Sequence, residues 1–146
     1  MDILSEGKDN IPYKVKIESY PSQISLSELP TFNYGDKSGY YFTIKVSVTN
    51  QDSKVRKFMV DDDCTFASWK IDRKPLKILI NNCLKNVYEN ISLAPHKTYS
   101  TTLKIWFPKS YTKNKISFRI GFIEIVDNKI ISGPYWSEET HILIKH

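Results

Sequence analysis

The stretch YYFTIKVSVTN at residues 40–50 alternates along its whole length. Phe42, Ile44, Val46 and Val48 fall on one side, and Thr43, Lys45, Ser47 and Thr49 on the other. Successive side chains of a strand point to opposite faces, so a period of two describes a strand with one buried face. The pattern recurs at residues 13–20, where Tyr13, Val15 and Ile17 oppose Lys14, Lys16 and Glu18. Residues 98–107 repeat it through Tyr99, Thr101, Leu103, Ile105 and Phe107, and residues 116–126 through Ile116, Phe118, Ile120 and Phe122. No segment of ten or more residues combines a 3.6 period with helix caps. Alanine occurs only at positions 67 and 94, too sparsely for a helical domain.

Strands are further expected at 55–60 and 86–93, and in the closing IISGPYW and THILIKH segments. Residues 64–71 and 75–82 read as two extended arms joined by a turn at 72–74, a basic hairpin. Residues 22–39 read as a long connection with a short edge strand around Ile24–Leu26. The expectation is an all-β, antiparallel sandwich of the immunoglobulin-like kind, with seven to nine strands. A closed barrel is the second choice. Polar residues 1–12 read as a flexible lead-in, and 13–146 as the single domain that 146 residues ordinarily make.

The only two cysteines are Cys64 and Cys83. No CxxC pair exists and the three histidines are isolated, so no metal site is expected. Asp61, Asp62 and Asp63 are consecutive carboxylates without the spacing of a calcium loop. A Cys64–Cys83 bridge is preferred over two buried thiols. It would close a loop of about 20 residues, worth about 3 kcal/mol in the chain-entropy model. A bridge implies an oxidising compartment, and hence a targeting segment removed upstream.

These cysteines belong to a wider pattern. Cys64, Trp69, Asp72, Cys83, Asn86, Leu93 and Pro95, ahead of the strand TYSTTLKIWF, resemble small bacterial extracytoplasmic domains of immunoglobulin-like type. The strand IKVSVTNQDSKV before them fits the same group, and the resemblance covers residues 40–125. His96 stands where such domains usually carry glycine. The VTN and L-x-P landmarks also resemble, more weakly, the intracellular proteinase inhibitors of bacilli, which normally need no disulfide. The resemblance implies a periplasmic, surface or secreted location, with a lipid anchor upstream in many members.

No GxSxG, HExxH or phosphate-cradling glycine loop occurs, so neither enzyme activity nor a cofactor is expected. Lys70, Arg73, Lys74 and Lys77 surround Trp69, and basic residues beside an aromatic can hold phosphate or glycan. The same residues would equally keep a hairpin soluble, and Trp69 and Trp106 read first as packing residues. Tyr34, Tyr40, Tyr41, Tyr111, Tyr135 and Trp136 fall at loops or strand ends, where aromatics either recognise partners or plug the sandwich. The net charge of +5 is spread along the chain and is read as solubility. The expected role is binding another protein outside the cytoplasm, with no nucleic acid. The alternatives are an inhibitor or immunity-type protein, or a binder of an anionic ligand through the basic hairpin.

Overall fold

The computed structural model describes residues 11–61, 68–79 and 88–146. Cys64 and Cys83, with Asp62 and Asp63, lie outside the described residues. So does most of the lead-in.

The described residues are all-β, apart from one short 3-10 turn at Leu26–Glu28. None of their helices is long and apolar enough to cross a membrane. The first sheet is built on β4 (Lys37–Asn50), with β1 (Tyr13–Ser19) on one side and β9 (Thr98–Pro108) on the other. β7 (Lys77–Leu79) extends it past β9, and β3 (Thr31–Tyr34) pairs with the start of β4. The second sheet runs β12 (Lys129–Trp136), β11 (Ile120–Val126), β5 (Arg56–Asp61), β8 (Tyr88–Leu93), with β6 (Trp69–Ile71) also on β11. A small third sheet orders β10 (Lys115–Phe118), β13 (Thr140–Lys145) and β2 (Gln23–Ser25). Only the β13–β2 pairing is parallel among those described.

All three sheets turn their apolar faces to one core, which makes the arrangement sandwich-like. Val15, Phe42, Ile44 and Val46 come from the first sheet, Phe58 and Phe122 from the second, Phe118 and Ile142 from the third. Of the residues whose alternation marked them as inward, Tyr99, Thr101 and Leu103 are only partly buried, and Phe42, Ile44, Val46, Val48, Ile105, Phe118 and Ile120 are buried. Tyr13 meets Phe58, Phe122 and Tyr135 edge to face at 5.2–5.7 Å. Cutting a large side chain of such a core to alanine costs roughly 2–5 kcal/mol.

A buried polar network ties the two large sheets together. Glu124, on β11, accepts hydrogen bonds from the hydroxyls of Tyr13 and Ser132. The Arg56 guanidinium lies 3.4 Å from the same carboxylate and 5.3 Å from the Tyr13 ring centre. Burial, then the hydrogen bond and charge of Glu124, push the Tyr13 phenol well above its ordinary range, against the opposing pull of Arg56. Asn50 makes a second fixed point. Its amide donates to the carbonyls of Lys54 and Leu93, and its oxygen accepts from the Asp52 N–H. The adjoining turn holds His96 at φ +64°, the left-handed region where glycine is the usual residue.

Four expectations are corrected. The basic hairpin is not one: β6 pairs with β11 of the second sheet and β7 with β9 of the first. The turn between them carries the chain from one sheet to the other. Residues 116–126 are likewise two strands in different sheets, separated at Arg119. The Asp72 side chain takes that residue's N–H and its Nε, while the Asp72 N–H donates to its carbonyl. The 22–39 connection holds the short strand expected near Ile24, as β2, and also β3, which pattern alone misses because all four of its residues are exposed. Breaks of this kind raise the strand count to thirteen among the described residues.

Candidate functional site

Where the chain changes sheets, one end of the molecule opens into a cleft of about 890 Å³. The start of β4 contributes Lys37, the β6–β7 turn Arg73 and Lys74, and the β9–β10 loop Tyr111 and Lys113. Lys115 and Ser117 on β10, with Glu139 and His141 at β13, complete its wall. Five Lys or Arg side chains thus face one carboxylate. Arg73 already pairs with Glu139 at 2.8 Å. Lys37, Lys74, Lys113 and Lys115 make no ion pair among the described residues. Like charges gathered in a concave surface focus a positive potential and draw anions.

The wall is held by hydrogen bonds within the turns. Tyr111 donates to the Lys115 carbonyl at 2.6 Å, closing the β9–β10 loop on itself. Burial raises its phenol above the ordinary range, although the charge of Arg73 pulls the other way, so the hydroxyl stays a donor. Asp72 sits at the foot of the β6–β7 turn. Burial pushes its carboxyl up, but the hydrogen bonds and charge of Arg119, with the charge of Arg73, outweigh this and hold it below its usual range. This ion pair fixes the turn that presents Arg73 and Lys74.

Ser117 Oγ and His141 Nδ1 lie 2.7 Å apart in the cleft. A hydroxyl beside an imidazole is the beginning of a nucleophile–base pair. Here it follows from register, since Ser117 and His141 are direct cross-strand neighbours. No carboxylate bonds the histidine's other nitrogen among the described residues, so nothing orients it as a base. No group of three or more His, Cys, Asp or Glu side chains could hold a metal ion among the described residues.

The residues singled out from sequence are therefore dispersed. Arg73 and Lys74 enter the cleft. Lys70, exposed on β6, pairs with Gly121 in the second sheet. Lys77 is exposed on the first sheet, its ammonium 5.0 Å from the Tyr34 ring centre. Tyr34 is exposed and stacks at a tilt on Trp106. Tyr40 packs on Phe107. Trp69 is buried against Phe122 and belongs to the core. Tyr135 is half-buried on Tyr13 and donates to Ser132, whereas Trp136 is exposed beneath Arg119. Lys37, Lys113, Lys115 and His141 were not singled out. For Lys113 and Lys115 the trace in the sequence is the lysine-bearing loop PKSYTKNK, whose meaning depends on what folds opposite it; Lys37 and His141 left none.

No family model matches the chain, and no curated protein matches it. One solved structure does, a beta-glucosidase from Listeria innocua in complex with glucose, at 8% identity and a TM-score of 0.39. The match covers 92% of this chain and 16% of that one, and a likeness this low carries no argument about fold or function.

Proposed function

We propose that the protein is a non-catalytic binding module that seats an acidic segment of another protein in the end cleft. One observation carries this reading: five basic side chains against a single, already paired carboxylate around about 890 Å³. Charge of this kind speeds encounter and selects partners by sign. The proposal extends to an immunoglobulin-like sandwich, bridged between Cys64 and Cys83 and placed outside the cytoplasm, since most cytosols would reduce the bridge.

The test is a titration with a fluorescein-labelled peptide of glutamates. Lys74→Glu with Lys113→Glu should weaken binding at least about tenfold, because each reversal replaces attraction with repulsion. The melting temperature should hardly change, as both lysines lack ion pairs among the described residues. Lys45→Glu with Lys77→Glu, on the face of the first sheet, alters net charge equally and should leave peptide affinity within about twofold. Equal effects from the two pairs, or none from the cleft pair, would remove the cleft from the mechanism.

A further inference from the structure

We propose a second, independent site: the outward face of the first sheet is a cationic track for an extended acidic polysaccharide. The register defines the track. On this face Lys16 of β1 sits opposite Ser47, and Lys45 is the next outward residue of β4. Lys104 of β9 sits opposite Thr43, and Lys77 of β7 opposite Trp106, itself opposite Tyr41. Each step from Lys16 to Lys45, Lys104 and Lys77 moves one strand across and two residues along. From strand spacing and rise, successive Cα atoms are about 8 Å apart. Lys14, two residues back along β1, extends the line to about 30 Å. The alternate residues Val15, Ile44 and Ile105 are buried, so the lysines share the outer face.

A line of charge suits a linear polyanion better than a flat membrane or a compact ligand. Two of the ammonium groups are held in place, Lys77 over Tyr34 and Lys104 over Tyr41, at 5.0 and 5.4 Å from the ring centres. Positioned cations lose less entropy on binding than free ones. Single-stranded nucleic acid is normally held by charge together with rings that stack on its bases. Here Trp106 is 1% exposed, and Tyr34 and Tyr41 each already hold a lysine ammonium over the ring. An acidic peptide would seek free backbone edges or apolar pockets, and the sheet interior offers neither. Beside the lysines stand Thr43, Ser100, Thr102 and the mutually bonded Thr49 and Thr98. Such hydroxyls complement a sugar chain. Among the described residues Glu18 is the carboxylate ion-paired on the line, bonded to Ser47 and 3.8 Å from Lys16, while Glu138 and Glu139 border a pocket beside Lys14 and Lys16.

The experiment titrates the whole chain with a heparin decasaccharide over a range of salt. Lys45→Glu with Lys77→Glu should weaken binding at least about tenfold and flatten the salt dependence, as fewer counterions are released. Because Glu18 pairs with Lys16 on the line, Glu18→Gln should tighten binding, about two- to threefold. Lys74→Glu with Lys113→Glu in the cleft should leave heparin affinity within about twofold, and Lys45→Gln with Lys77→Gln guards against misfolding of the reversed pair. If heparin fails to bind, or if the cleft pair abolishes binding and the track pair does not, the track is overturned while the cleft proposal stands. A thymidine oligonucleotide binding more tightly than heparin at equal charge would overturn the choice of polysaccharide.

Discussion

Glu124→Gln tests the polar pin between the two large sheets. The change keeps the side chain's size and removes its charge. Tyr13 and Ser132 hydroxyls can rotate to suit an amide, so their bonds are weakened rather than abolished. The main loss falls on Arg56. Among the described residues its Nε is already buried without a hydrogen-bond partner, and its remaining carboxylate is Asp52 at 3.6 Å. Depriving a buried charge of its partner costs about 3–5 kcal/mol. The Arg56 side chain is 28% exposed, so water returns part of that. The expected loss is therefore about 2–3 kcal/mol, or roughly 6–12 °C in melting temperature for a domain of this size. Urea unfolding followed by tryptophan fluorescence measures it. Tyr13→Phe closes a double-mutant cycle, and the coupling should be about 1–2 kcal/mol because the two groups share a hydrogen bond. A Glu124→Gln loss under about 0.5 kcal/mol, or strictly additive losses, would show that the network is decoration on a core that holds itself together.

Acid should loosen the β6–β7 turn. The carboxyl of Asp72 is lower in the folded chain than in the unfolded one, so its contribution is complete above the unfolded value near 4 and is lost as pH falls through the lower folded value. Asp72→Asn should flatten the stability profile below about pH 4, and an unchanged slope there would discount the ion pair. Thiol titration of the unfolded, unreduced protein should find no free thiol if Cys64 and Cys83 are bridged, whereas two would dismiss both the bridge and the argument for an oxidising compartment.

Period-two alternation was enough to declare an all-β chain and to name most of its core. Phe42, Ile44, Val46, Ile105 and Phe118 are buried because the face of a strand follows from residue parity alone. Parity says nothing about which strand lies alongside. The arms around Asp72 both read as extended, and read locally they make a hairpin. Only the long-range pairing of β6 with β11 and of β7 with β9 shows that the chain changes sheets there, at the turn that Asp72 bonds to Arg119. That single decision moves Arg73 and Lys74 into the cleft, Lys77 onto the far face and Lys70 onto the second sheet. Glu124 was equally opaque, since a carboxylate inside an apolar strand is tolerable only with Tyr13, Ser132 and Arg56 around it, and they lie far from it in the chain except for Ser132. Local pattern sets which way a side chain points, and pairing across the fold sets what it meets. Lysines scattered through the sequence became a cleft and a track because strand register, a long-range property, brought them into line.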